Sequence, residues 1–386
     1  MAALALLCGC EVIESGSARG RDTERDDPSG DGEVQEDSTL VTPAPAPKPD
    51  TLVYLSAVHY PDGYDWQRDT AYRSGDARLS LYCNDSLLLR FPTGEGISAE
   101  PDMHHIIGGH LFTEGVSGGR TVICRDGEEV LRFDGKELLK GLLPVGNDLY
   151  TLSQERSGSG FTLRRNGEAV LRKSGGVIFG SLDDPSYGSS GALYLQNGIC
   201  CFCYRVGEVC LSVWDGQERT LTEITQGSRV QDLKIVGGEA VAVKDDSFGL
   251  FWDGARIWDH GNGDVSVSGN IRNTAGGTRH SGIYRPGSGE LLQFGGQDCV
   301  FYVGPERGYA IQTLQDGSFD ICRAGGMEHV DGCWYLFTAC CATLRGEELL
   351  VALNPRGEGH PSVRGGGELG EESYISGIRT EIKYNE

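Results

Sequence analysis

The feature that most restricts this chain is a hairpin that recurs along it: a short strand, a tight turn built on Asn, Asp or Gly, and a second short strand. It reads SLYCNDSLLLRF from Ser80, TVICRDGEEVLRF from Thr121, FTLRRNGEAVLR from Phe161, LSVWDGQERTL from Leu211 and GLFWDGARIW from Gly249. Looser copies are GIYRPGSGELLQF from Gly282, FDICRAGGMEHV from Phe319 and LLVALNPRGEGHPSV from Leu349. Asn-Gly and Asp-Gly suit two-residue hairpins because both central residues must take positive φ, which Gly and Asn tolerate best. With Asp85, Asp126, Asn166, Asp215, Asp253, Pro286, Ala324 and Pro355 as anchors, the spacings are 41, 40, 49, 38, 33, 38 and 31 residues, with a mean near 39. That is the length of a four-stranded propeller blade and too long for a β-helix rung.

The rest of the body agrees with an all-β reading. Short β-branched, aromatic and Leu-rich runs alternate with Gly, Asn, Asp and Pro clusters, no long amphipathic helix is visible, and 58 glycines supply the turns. One pair of repeats aligns over a whole blade, AVAVKDDSFGLFWDGARIWDHG from Ala240 against AIQTLQDGSFDICRAGGMEHVDG from Ala310. We therefore expect a single β-propeller over 51–386, with eight four-stranded blades favoured over seven and a pair of β-sandwiches as the rival fold. An open first blade would expose strand edges that pair with other chains. LVYLSAVHY from Leu52 and YISGIRTEIKY from Tyr374 are both strand-like, so the C-terminal strand is expected to complete the first blade.

Ahead of the body the composition changes. Residues 11–50 hold no Phe, Tyr, Trp or Cys, carry 11 acidic and 4 basic side chains, and end in alternating prolines from Pro43 to Pro49. A segment so poor in apolar groups does not offset its ordering entropy, which predicts a disordered acidic tether with a semi-rigid spacer at its end. Residues 1–10 read MAALALLCGC, an apolar run too short to span a membrane. Its last four residues, Leu7 to Cys10, resemble the lipobox of bacterial lipoproteins: an aliphatic residue three before a cysteine and a Gly directly before it. The resemblance implies that Cys10 is the lipid attachment site and that the chain is anchored in the cell envelope of a diderm bacterium, on the periplasmic or surface face of the outer membrane. Signal peptides are usually 15–30 residues with a basic start, so further residues are expected ahead of Met1. An accidental apolar start on a cytosolic protein is the alternative.

Charge narrows the partners. Against 34 Lys and Arg stand 56 Asp and Glu, a net −22, which repels phosphate backbones and anionic headgroups and argues against a nucleic-acid binder. Beyond Cys8 and Cys10 eleven cysteines remain, an odd number. Two residues before the turn anchors stand Cys83, Cys124, Arg164, Val213, Phe251, Tyr284, Cys322 and Leu353. This reads as an inward apolar column in which Cys serves as a small hydrophobe and Arg164 is the exception. Cys200, Cys201, Cys203 and Cys210 are denser, but they lack the paired spacing of structural zinc sites.

Three candidate sites follow. Asp102, His104 and His110, with His105 beside them, form the one concentrated imidazole group and are the residue types a divalent metal would use. Adjacent His104 and His105 point to opposite faces of a strand, which favours a structural role. Tyr64, Asp65 and Trp66, in the insertion from Pro61 to Asp69, offer flat rings and carboxylates to a sugar or peptide, or else pin the insertion on the blade edge. The mouth of the central channel is the third expected site.

No nucleophile elbow, H-E-x-x-H, Walker loop or EF-hand loop occurs, and no cofactor is implied. GIYRPGSGELLQF from Gly282 resembles the repeat of quinoprotein-type propellers and, through it, the eight-bladed lipoproteins of outer-membrane assembly machines. Arg285 and Phe294 stand where the quinoprotein family has Asp and Trp, so quinone chemistry does not carry over. The expectation is a membrane-tethered, exported, monomeric propeller that binds a protein or glycan ligand without chemistry of its own. The alternatives are a carbohydrate-active hydrolase or lyase working in the channel, and an envelope-assembly scaffold.

Overall fold

Three of the expected hairpins show why the repeat works. Asn84-Asp85, Asp126-Gly127 and Asn166-Gly167 all take positive φ at both central positions. In each, the first turn residue then accepts from a neighbouring strand: Asn84 from Val53 N at 3.0 Å, Asp126 from Leu111 N at 2.9 Å, Asn166 from Leu149 N at 2.8 Å. The turn side chain thus closes its hairpin and ties it to the strand before it.

The computed structural model describes residues 50–65, 76–134, 137–155, 160–196, 198–207, 209–214, 216–223, 229–261, 263–272, 277–295, 298–334, 341–357, 359–364 and 366–383. The lipobox with Cys10, the tether as far as residue 49, and Trp66 lie outside them.

The chain is a β-propeller. Strands β1 (Asp50–His59), β2 (Arg78–Cys83) and β3 (Ser86–Pro92) open the first blade. The second holds β4 (His104–Ile107), β5 (His110–Ser117), β6 (Arg120–Arg125) and β7 (Glu128–Asp134). The third holds β8 (Glu137–Val145), β9 (Asp148–Glu155), β10 (Gly160–Arg165) and β11 (Glu168–Ser174). The fourth has short inner strands β12 (Val177–Ile178) and β13 (Tyr194–Gln196), then β14 (Ile199–Val206), β15 (Val209–Trp214) and β16 (Gln217–Glu223). A two-stranded sheet follows, β17 (Val230–Val236) with β18 (Glu239–Lys244). The fifth blade is β19 (Phe251–Asp259), β20 (Val265–Arg272), β21 (His280–Arg285) and β22 (Glu290–Phe294); the sixth is β23 (Val300–Val303), β24 (Gly308–Thr313), β25 (Phe319–Arg323) and β26 (Gly326–Val330). The seventh is β27 (Cys333–Trp334), β28 (Ala342–Arg345), β29 (Glu348–Pro355) and β30 (Ser362–Val363), and β31 (Tyr374–Lys383) returns to the first.

Seven full blades are formed, the lower of the two expected numbers, and the reason lies at Asp253. Asp253-Gly254 reads like the other turns but sits inside β19. Only Gly254 has positive φ, and the register slips from Asp253–Asn270 to Arg256–Ser268. The dipeptide makes a β-bulge rather than a hairpin. The anchor spacing across Asp215 and Pro286 therefore spans one full blade plus the truncated pair β17–β18, and the alignment of Ala240 with Ala310 holds only for its first strand.

Ring closure is as expected. β31 pairs antiparallel with β1 from Asp50–Lys383 to Val58–Tyr374 and lies innermost in the first blade. A buried carboxylate latches the join: Glu372 Oε1 accepts from Ser80 Oγ at 2.8 Å, from Tyr82 Oη at 2.6 Å, and from Arg90. The core lies between blade faces, where Phe161 meets Phe202 edge-on at 5.6 Å and Tyr204 at 4.8 Å. Cysteine behaves as a core residue. Cys124, Cys201, Cys203, Cys210 and Cys322 are buried, and these with Cys83 and Cys333 are free thiols.

Candidate functional site

The axis of the propeller is filled by its own chain. Between β12 and β13 the segment from Phe179 to Leu193 leaves the fourth blade and crosses to the inner strands of others. Leu142 N in β8 donates to Ser190 O at 3.1 Å and Ala192 N to Lys140 O at 2.9 Å. Arg379 in β31 reaches Gly188 O at 3.4 Å, and Arg256 in β19 pairs with Asp184. Close approach demands glycine at Gly191, with φ of 61°, where an added Cβ would lie 2.5 Å from Lys140 O and 2.7 Å from Leu182 N.

The truncated pair β17–β18 supplies the anchor for this plug. Tyr187 Oη donates to Asp232 Oδ1, and the other carboxylate oxygen accepts from Ile257 N at 2.8 Å. Lys234 Nζ lies 3.8 Å over the Tyr187 ring and donates to Ser186 O at 2.5 Å. Burial pushes the Asp232 carboxyl up and the Lys234 ammonium down, each offset by the charge of the other. Between the plug and β19, β23, β28 and β31 a cavity of 350 Å³ remains, bounded by Pro185, Trp258, Tyr302 and Thr343.

The expected metal residues are placed apart in role. Asp102 is exposed in the 3-10 turn Pro101–Met103. His104 and His105 are buried on the inner strand β4, His104 Nε2 lies 2.8 Å from Ser98 O, and burial lowers the two rings to about 4 and about 3. His110, half-exposed on β5, pairs with Asp126 through Nδ1 at 2.6 Å. Among the described residues no group of three His, Cys, Asp or Glu side chains is set to hold a metal ion. In the first-blade insertion, Tyr64 stacks on Tyr60 at 4.4 Å, and Tyr60 lies 6.3 Å from Tyr374, while Asp65 is exposed. The Tyr64 ring pins the start of the insertion to its blade.

A larger cleft lies elsewhere, between the second and third blades, with a volume of 660 Å³. Five basic side chains line it, Arg120, Arg132, Arg164, Arg172 and Lys173, against two carboxylates, Glu137 and Glu155. In a chain of net charge −22 such a concentration is the chemical exception. Arg164 forms its floor: buried, with both terminal nitrogens on Glu137 at 2.8 and 2.9 Å, one also on Ser153 Oγ at 2.6 Å, and the guanidinium 4.4 Å from the Phe133 ring centre. Arg164 and Ser153 keep the Glu137 carboxyl below its ordinary range despite burial, and the field of Arg172 adds to this. Arg132 pairs with Glu129 at 2.6 Å and Lys173 with Glu218 at 2.8 Å on the rims. The Arg172 side chain is exposed on the cleft wall, where its charge reaches Glu137, and it presents a guanidinium to solvent there. The one sequence signal for the site is Arg164 itself, the charged residue in an otherwise apolar column.

No family model and no curated protein sequence matches this chain. Among solved structures, an oligogalacturonate lyase in complex with manganese is similar over 80% of this chain and 89% of its own, at 12% identity and a TM-score of 0.39. The polysaccharide lyase Uly1 is similar over 88% and 100%, at 10% identity and 0.33. BBS1N in its complex with ARL6DN is similar over 72% and 80%, at 10% identity and 0.31. Likenesses of this size say nothing of what this chain binds.

Proposed function

We propose that this chain is a lipid-anchored, exported propeller of the bacterial cell envelope that binds an anionic ligand in the cleft between its second and third blades, without chemistry of its own. The observation that supports the reading most is Arg172, an exposed guanidinium beside one already held rigid by Glu137 and Phe133, in a cleft where five basic side chains face two carboxylates. Planar guanidinium forks match carboxylates and sulfates, so an acidic glycan is the ligand to try first. The tether and Cys10 would hold the body away from the membrane and leave this lateral cleft open. The experiment is a titration of the full chain with polygalacturonate, chondroitin sulfate and neutral dextran at two salt concentrations. Binding of a polyanion that weakens with salt, and by roughly tenfold in Arg172→Glu, supports the reading; equal binding of dextran, or no effect of the substitution, overturns it.

One observation favours the hydrolase or lyase alternative. Burial, and then the charge of Asp102, raises the carboxyls of both Glu100 and Asp183, and carboxyl groups are the residue type that glycan hydrolysis and elimination use for acid–base work. Turnover of an acidic glycan that is abolished by Asp183→Asn would move the assignment to the channel.

A further inference from the structure

The axial cavity is built unlike the cleft on the flank. Trp258 in β19, Tyr302 in β23, and Ala342 and Leu344 in β28 give it apolar walls, and Pro185 and Ser189 of the plug close one side. Trp258 Nε1 donates to Ser268 Oγ at 2.8 Å, so the indole has used its one donor and offers the space ring carbon. The volume of 350 Å³ is at the small end for ligand sites, room for one molecule of about a dozen non-hydrogen atoms rather than for a chain.

Of the described residues that line it, Arg379 and Glu381 carry charge, and both are half-buried. They stand two apart on β31, hence on the same side of the strand and about 7 Å apart along it. The bond from Arg379 to the plug, Nη2 to Gly188 O at 3.4 Å, is at the limit of hydrogen-bond length, and a fork of five donors has capacity beyond it. Glu381 Oε1 accepts from Gly109 N at 3.1 Å, and a carboxylate has a second oxygen. Beside them Thr380 donates to Leu344 O at 2.6 Å, which leaves its own oxygen as an acceptor, and Thr343 Oγ1 lies 3.4 Å from it. The Arg379 charge also reaches buried His105, whose ring it helps to keep neutral, so the wall's balance is one cation and one anion.

We propose that this cavity binds one free α-amino acid with an aromatic side chain. Its carboxylate lies on the Arg379 fork, its ammonium between Glu381 and the Thr380 oxygen, and its ring against Trp258 and Tyr302. A ligand with one charge alone would leave either the cation or the anion of the wall desolvated without a partner, which costs affinity. A zwitterion mirrors both. The site is separate from the flank cleft and takes a different ligand, since a glycan chain exceeds its volume.

The test is calorimetric titration of the full chain with L-phenylalanine and with its two truncated analogues, 3-phenylpropionate without the ammonium and phenethylamine without the carboxylate. One-site binding of phenylalanine is expected, with each analogue weaker by roughly tenfold or more. Arg379→Gln should weaken phenylalanine by a similar factor. Glu381→Gln keeps an acceptor for Gly109 N and should erase the preference for phenylalanine over 3-phenylpropionate. Ser189→Phe fills the space from the plug, leaves both charges in place and should abolish binding. A thermal melt of each variant separates lost binding from lost folding, and Ser189→Phe and Glu381→Gln keep the test decisive if Arg379→Gln does not fold. No binding of phenylalanine at millimolar concentration overturns the proposal. So do analogues that bind as well as the amino acid, or a folded Ser189→Phe variant that binds like wild type.

Discussion

His104 and His105 are adjacent on an inner strand, both buried, with rings held down to about 4 and about 3 by burial; the charges of His104 and Arg379 add to the effect on His105. Both are neutral in the folded protein, whereas in the unfolded chain they take up protons near pH 6.5. Their contribution to stability is therefore complete above that pH and is lost as the pH falls toward the folded values, by about 2 kcal/mol per ring at pH 5. Chemical denaturation at pH 7 and pH 5 should show the loss, and His105→Asn should make the acid limb shallower; an unchanged stability at pH 5 contradicts it. At Glu372 the expectation is of opposite character, because a buried acceptor shared by Ser80, Tyr82 and Arg90 is removed. Glu372→Ala should cost about 3 kcal/mol, measured as a shift in urea midpoint, and a shift near zero would mean that the ring is closed without the latch. The cysteines offer a third check at this scale. Thiol titration in denaturant without reductant should find a majority free, and near-complete protection would reveal a disulfide framework. The inward column of Cys83, Cys124 and Cys322 was legible from the repeat alone. The pairing of Arg164 with Glu137 was not, because those residues are 27 apart and meet only when the third blade closes.

At the scale of elements, hairpins were legible wherever the turn residues alone decide the backbone, as at Asp126-Gly127 and Asn166-Gly167. Asp253-Gly254 has the same letters and a different outcome because its flanking residues find their partners in β20 rather than in each other. The plug left one trace in the sequence, the spacing of 49 between Asn166 and Asp215, but its destination is set by contacts with strands far along the chain. Its packing makes a specific demand: Gly191→Val must displace backbone at Lys140 and Leu182. We expect roughly 2–4 kcal/mol of destabilisation, from overpacking together with strain at positive φ. Hydrogen exchange should show the opening concentrated between Phe179 and Leu193, and a variant as stable as wild type would argue against an axial plug.

At the scale of the molecule, the terminal strand closing on the first and the seven full blades make one ring. The acidic composition ahead of Asp50 is the basis of the proposed tether. Brief proteolysis should remove residues 11–50 and leave a folded core beginning near residue 50; a protected N-terminal segment would contradict the tether. Digestion of intact cells, with Cys10→Ala as control, would place the body on the surface if the wild type is cleaved from outside and the variant is not. The ring's axis being occupied by its own chain moves the expected binding surface from the channel mouth, where sequence placed it, to the flank. The measurement that tests this most directly is hydrogen exchange of the full chain with and without a bound acidic glycan. The account predicts protection confined to β6 through β11, around Arg120, Arg132 and Arg172. Protection at Gly188, Thr343 and Thr380 on the axis, with the flank unchanged, would contradict it.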